Sequence, residues 1–146
     1  NRFKAAILGG AAGTFASKDD LDVRLSFEDL RTANLSLGSG VITVLDETRD
    51  IKETLKLIAH FFDEESCGKC YPCQIGTRRQ KEIMDRISAG WTRQGDMERL
   101  LKIGTTMTET SLCGLGQTAA SAVTSAIRKW PELFTSVRQP AGMTRR

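Results

Sequence analysis

Long apolar runs are missing from this chain. The two longest, Val41 to Leu45 and Leu57 to Phe62, are interrupted by threonine or histidine, and neither approaches the roughly 20 residues a membrane-spanning helix needs. Contact with a membrane is therefore expected only through a partner. Basic blocks are missing too: acids and bases are interspersed, the net charge is +3, and no lysine and arginine run has the density that nucleic-acid binding requires. No signal peptide is visible, so the expected location is cytoplasmic, or peripheral on the inner face of a membrane through partner subunits. Histidine occurs once, as His60, and no spacing suggests a Cys/His or Ser/His pair. Neither His60 nor Ser66 is therefore assigned as acid, base or nucleophile, and no catalytic residue is named. With 40% hydrophobic and 27% charged residues, the composition is that of an ordinary globular protein rather than a disordered one. A length of 146 residues allows one good domain or two small ones.

Cysteine is scarce as well, and its placement is the most informative feature of the chain. Cys67, Cys70 and Cys73 stand at C-x-x-C-x-x-C spacing, and Cys113 follows forty residues later. A tight loop returns every third side chain to the same side, so three thiols at this spacing can face three corners of one cuboidal cluster. The spacing is that of the bacterial ferredoxin run without its local fourth ligand, and Cys113 is the one cysteine left to complete it. Zinc competes, since four thiolates also make a closed tetrahedral site, although zinc spacings usually come as two separated pairs. Disulfides are supported by the even count alone; three cysteines within seven residues make poor partners, and in a reducing compartment such a group reads as metal-binding or redox. Four unrelated buried thiols would not explain Gly68 and Pro72, which shape a turn between them.

Residues Phe3 to Leu8 read as a strand stopped by GGAAG. The glycines lack the G-x-G-x-x-G spacing of a dinucleotide loop, and the segment after them reads as further loop. Leu21, Val23 and Leu25 alternate with charged residues and suggest a short strand. Ser26 and Asp29 suggest a capped turn of helix. Val41 to Leu45 is the clearest strand, rich in β-branched residues. Residues 1–48 are thus three strands and one helical turn, a marginal unit by itself, whose sheet is expected to be completed by strands upstream in a longer parent chain or in a partner.

After Asp46 the period changes to about 3.6. Ile51, Leu55, Ile58 and Phe62 define a helix from Ile51 to about Asp63, opened by Asp50 and Glu53 as a capping box. A second helix is expected from Gln74 to Ala89, with Ile75, Arg79, Ile83 and Ile87 on one side and Gly90 as its stop. A third carries Met97, Leu100, Leu101, Gly104 and Met107 and is capped near Asp96. The fourth runs from Gly116 or Gln117, with Ala119, Val123, Ile127 and Trp130 on one stripe, to the break at Pro131. The expectation is an α+β chain: a partial β-sheet unit over 1–48, an antiparallel four-helix bundle over 49–137, and a flexible tail over 138–146. In an up-down bundle the first and third interhelical loops lie at one end, so all four thiols should meet there. They would lie beside helix N-termini, whose amides favour an anionic group, with Lys69, and less clearly Arg78 and Arg79, adding positive charge.

ESCGKCYPCQIGT followed by SLCGLGQTA resembles the [4Fe-4S] segment of the flavin-bearing NADH dehydrogenase subunit of respiratory complex I and its relatives, among them NAD-reducing hydrogenases and NAD-dependent formate dehydrogenases. GGAAG and LGSGVITVLDE resemble the ubiquitin-like β-grasp (soluble-ligand-binding-type) domain that precedes the bundle in that family, and GGAAG with GTRRQ leans toward the soluble members. The resemblance covers all but about the last ten residues and looks like the C-terminal third of such a subunit. It implies Cys67, Cys70, Cys73 and Cys113 as ligands of a [4Fe-4S] cluster that exchanges electrons with FMN, itself reduced by NADH or reducing NAD. FMN and NAD(H) would sit on the missing N-terminal region. The partners it implies are a ferredoxin-like [2Fe-2S] subunit and a larger multi-cluster iron-sulfur subunit. One departure is Gln74, where the family usually has arginine; a positive charge beside the cluster is thereby lost, which would lower its potential.

Overall fold

In the computed structural model, residues 1–135 are described, and they form a three-stranded antiparallel sheet and a set of helices that share one core. The expected tail at 138–146 lies outside the described residues. Strand β1 (Phe3–Leu8) is central, with β2 (Thr14–Ala16) on one side and β3 (Ile42–Asp46) on the other. Alternation along β1 sends its side chains to two different places. Ala5 and Ile7 join Phe15 and Leu45 in the core shared with the helices, whereas Ala6 and Leu8 pack with Leu30 and Leu35 under α1 (Phe27–Thr32). Helix α1 starts as the sequence suggests, with Ser26 Oγ accepting from the Asp29 amide at 3.1 Å.

Two expectations for this half fail. Leu21 to Leu25 is not a strand: Leu21 and Leu25 are exposed, and the segment follows a short 3₁₀ turn at Lys18–Asp20. The third strand is Thr14–Ala16, expected to be loop. Its register opposite Ala6 to Leu8 is set by the glycine-rich turn, where Gly9 takes φ +100 and lies against Gly38. A Cβ on Gly9 would come within 2.9 Å of the Gly38 Cα.

The helices are α2 (Ile51–Glu65), α3 (Tyr71–Ser88), α4 (Asp96–Thr110), α5 (Gly114–Thr118), α6 (Ser121–Lys129) and α7 (Glu132–Thr135). Asp50 caps α2 by accepting from the Lys52 amide at 2.8 Å. The expected reciprocal contact does not form, because Glu53 turns instead to Ser88 at 2.6 Å and Lys56 at 3.0 Å. Helix α3 begins three residues earlier than expected and so takes Cys73 into its first turn. Its buried face is Cys73, Gly76, Thr77, Gln80, Ile83, Met84 and Ile87, while Ile75 and Arg79 point outward. Gly90, at φ +86, ends it as anticipated. The expected fourth helix is divided at Ala119 and Ala120. Gln80, fully buried on α3, donates from Nε2 to the Ala119 carbonyl at 2.8 Å and so satisfies an acceptor that the break leaves free.

Close contacts hold these pieces together. At Gly104 of α4 a Cβ would fall 2.9 Å from Thr124 Cγ2 and 3.0 Å from Ala120 Cβ, so α4 and α6 cross without a spacer. The sheet is tied to α6 by the Phe15 amide donating to Ser125 Oγ at 2.9 Å, by Lys129 paired with Asp20 at 2.6 Å, and by an edge-to-face contact of Phe15 with Trp130. The turn from α3 to α4 is built on Asp96. Its carboxylate is fully buried and accepts from Arg86 at 2.8 Å, Arg99 at 3.1 Å and the Arg93 amide at 3.0 Å, while Arg86 and Arg93 lie over Trp91. Among the described residues no helix is long and apolar enough to cross a membrane.

Removing a partner from a buried charge pair strands the other charge at a cost of about 3 kcal/mol. Asp96→Asn is therefore expected to destabilise the chain by about that amount, read by urea unfolding followed by circular dichroism; a loss below about 1 kcal/mol would show that Arg86 finds other solvation.

Candidate metal centre

Cysteine geometry follows from where the helices stop and start. Helix α2 ends at Glu65, and Ser66 turns the chain out into an extended conformation. Gly68, at φ +72, makes the turn between the first two thiols, in a conformation that side-chain-bearing residues avoid. Cys70 is the N-cap of α3, and Pro72 sits in the first turn, where its missing N–H costs nothing. On the other loop, α4 ends at Thr110, Ser111 and Leu112 run on, and Cys113 is the N-cap of the short α5.

The two loops meet. A cavity of about 300 Å³ is lined by Cys67, Cys70, Cys73 and Cys113, with Lys69, Leu112 and Leu115 among its other walls. The structure thus brings all four sequence-predicted thiols together, and none is in a disulfide. Cys73 is buried at the inner end, while Cys67 and Cys113 are exposed, so the cavity opens to the surface.

Glycine makes the meeting possible. On Gly116 a Cβ would sit 2.6 Å from Ser111 Cβ and 2.9 Å from Cys73 Cβ. Any larger residue would push the Cys113 loop off the first turn of α3. Across that contact the Leu112 amide donates to the Cys70 sulfur, which also receives the Cys73 amide. These donors, Leu112 first, hold the Cys70 thiol below its ordinary pKa. Burial pushes the Cys73 thiol up, partly offset by Ser66, whose Oγ lies 3.4 Å from Cys73 Sγ, and the other three thiols push in the same direction as burial.

Of the charged residues singled out from sequence, Lys69 lines the cavity. Arg78 lies 4.0 Å from Asp63, and Arg79 pairs with Glu82 at 2.7 Å; both are largely solvent-exposed surface partners. His60 is a half-buried strut between α2 and α3, with Nε2 2.7 Å from Asp85 Oδ1. Gln74 has its side-chain amide over Gly68, in van der Waals reach of the position a Cβ would take there. Sequence reasoning missed Ser111. Its hydroxyl is buried, has no hydrogen-bond partner and lies next to Gly116, which also abuts Cys73.

The donor set suits a polynuclear group better than a single ion. Tetrahedral zinc needs four sulfurs about 2.3 Å from one centre. Among the described residues no three cysteine, histidine or acidic side chains converge in that way. Thiols spaced around a hollow instead match ligands held at separate corners of a cluster.

Comparison with known proteins points in the same direction. The model for the NADH-ubiquinone oxidoreductase-F iron-sulfur binding region matches residues 53–137. The chain is 38% identical over 125 residues to the NADP-reducing hydrogenase subunit HndC of Solidesulfovibrio fructosivorans, covering 86% of this chain and 26% of the relative. It is 31% identical over 139 residues to the F-type subunit of the NADH-quinone oxidoreductase of Aquifex aeolicus, covering 95% of this chain and 32% of the relative. The crystal structure of an NAD⁺-reducing [NiFe]-hydrogenase in the H₂-reduced state superposes with a TM-score of 0.82 at 29% identity, over 97% of this chain and 24% of that one. The chain thus spans about a quarter to a third of the length of these proteins.

Thiolate is the reactive form of cysteine, so in the metal-free chain near neutral pH Cys70 should be alkylated by iodoacetamide well before Cys73. Peptide mass spectrometry over a time course reads the order, and equal rates would show that the Leu112 and Cys73 amides do not hold the Cys70 sulfur.

Proposed function

The chain belongs to the family of iron-sulfur binding regions of F-type NADH-ubiquinone oxidoreductase subunits, and from that premise we propose that Cys67, Cys70, Cys73 and Cys113 hold one [4Fe-4S] cluster that relays electrons within an NAD-linked oxidoreductase. The observation that carries this reading is the single cavity lined by all four thiols of the chain, two of them exposed and one buried. A cluster held there would supply one-electron transfer, the chemistry a flavin needs when it passes on a hydride's two electrons singly.

The chain's own groups are suited to that task. The Leu112 and Cys73 amides stabilise a thiolate at Cys70, and α3 points its N-terminus at the site. Lys69 at the wall offsets negative charge, and Leu112 and Leu115 limit water. In this reading residues 49–137 are the cluster-bearing helical unit, a four-helix bundle whose last helix is broken at Ala119 and Ala120. Residues 1–48 are part of a ubiquitin-like β-grasp unit, supported by the β2-β1-β3 order with α1 across one face. FMN and NAD(H) would bind on the parent subunit outside this chain. Electrons would pass to a ferredoxin-like [2Fe-2S] subunit and a larger multi-cluster iron-sulfur subunit. A zinc-stabilised docking module is the weaker reading, because zinc sites usually take two separated cysteine pairs, whereas here the cysteines divide three and one.

Anaerobic reconstitution should load four irons and four sulfides per chain, with broad visible absorption that bleaches on reduction. Cys113→Ala should abolish that absorption while helical content stays; a colourless chain holding one zinc would overturn the assignment. Gly116→Ala should reduce cluster loading several-fold at unchanged helical content, measured as iron per chain, because the new methyl separates Ser111 from Cys73. Full loading of this variant would show that the close approach is dispensable.

A further inference from the structure

Two serine hydroxyls stand near the four thiols with no structural duty that accounts for them: Ser66 lines the cavity, and Ser111 lies behind it, next to Gly116. Ser111 is 6% exposed, its Oγ is buried without a hydrogen-bond partner, and it faces Cys73 across Gly116, where a Cβ would collide with the Ser111 Oγ and fall 2.9 Å from the Cys73 Cβ. A buried hydroxyl left unpaired is costly, and Ser111 does not recover this from capping: it ends α4 through its backbone amide, which donates to the Met107 carbonyl. Ser66 ends α2, and its Oγ is 3.4 Å from Cys73 Sγ, the innermost of the four thiols. The two hydroxyls come from different loops, and neither loop needs a hydroxyl for its turn. Gly116 leaves the room that Ser111 occupies, since a side chain there would collide with it.

A hydroxyl proton aimed at a thiolate stabilises negative charge on the sulfur. Adding one electron to a thiolate-ligated cluster increases that charge, with no bond made or broken at the serines and no proton taken up. Donors of this kind therefore favour the reduced form, and hydrogen bonds to the sulfurs are among the levers that set the potential of such centres. Resting on the iron-sulfur reading above, we infer that Ser66, at the Cys73 sulfur, and the buried Ser111 are positioning residues that donate to cysteine sulfurs of the cluster and raise its reduction potential. They would act in the opposite direction to the loss of positive charge at Gln74, so the chain would set its potential with neutral donors where arginine is expected.

The test is a dithionite-poised redox titration, followed by EPR, of the reconstituted full chain carrying Ser111→Ala, Ser66→Ala or both. With iron and sulfide content held at the unsubstituted level, Ser111→Ala is expected to reduce the equilibrium constant for one-electron reduction about tenfold, a fall of about 59 mV. Ser66→Ala should lower the potential less, since its hydroxyl is only half-buried, and the double variant should lower it by the sum. Ser66→Thr, which keeps the hydroxyl, should restore the potential. After exchange into deuterated buffer, pulsed EPR should lose an exchangeable proton coupling in each alanine variant. Loaded variants with unchanged potentials and unchanged couplings would overturn the inference while leaving the cluster itself established. A wild-type chain that takes up no cluster would overturn the iron-sulfur reading and this one with it. Should Ser111→Ala fail to load, the Ser66→Ala and Ser66→Thr pair decides.

Discussion

Gly116 is where two loops, remote in sequence, are allowed to touch, and the site depends on that contact. A Cβ there would fall within 3 Å of both the Ser111 Cβ and the Cys73 Cβ. With hydrogen in its place, the Cys113 loop lies directly against the first turn of α3. The Leu112 amide then reaches the Cys70 sulfur, so the backbone of one loop holds a thiol of the other. Neither loop could gather four thiols alone, because three come from one and the fourth from its neighbour.

The rest of the fold supplies the stiffness this contact needs. Helices α2 and α3 are clamped by His60 with Asp85 and by Lys81 with Asp63, which fixes the two ends of the triple-cysteine loop. Helices α3 and α4 are joined at their far end by the buried Asp96 and its two arginines, which fixes the direction in which α4 returns to the site. At the near end α3 and α4 meet through Gly76, where a Cβ would fall 2.5 Å from Met107. The sheet adds a further brace by packing Phe15 on Trp130 and bonding to Ser125 of α6.

Much of this was legible in the sequence. The period of Ile51, Leu55, Ile58 and Phe62 located α2 because all four are buried on one face, and loop adjacency in an antiparallel helical arrangement was enough to bring Cys113 to the triple motif. Where the reading failed, tertiary contacts had overridden local signals. Ile75 looked like a core position but is exposed, because α3 turns its small and polar residues Gly76, Thr77 and Gln80 inward to let α4 and α5 approach. The break at Ala119 and Ala120 has no local signature, since alanine favours helix; it is relieved by Gln80, 39 positions away. Thr14–Ala16 became a strand because β1 offers it a partner edge, whereas the alternating Leu21, Val23 and Leu25 have none. Ser111 was read only as part of SLCGLGQTA, because a serine two residues before a cysteine carries no chemical pattern of its own; its burial and its missing partner mark it.

These features describe a site in which four free thiols, nearby backbone amides and one lysine surround a cavity that opens to the surface. The most direct measurement is the Mössbauer spectrum of the chain loaded anaerobically with iron-57. The account predicts one tetranuclear cluster, with its irons delocalised in pairs and sharing a single diamagnetic ground state in the oxidised form. Iron found as isolated tetrathiolate ions, or excluded in favour of a single zinc, would contradict it.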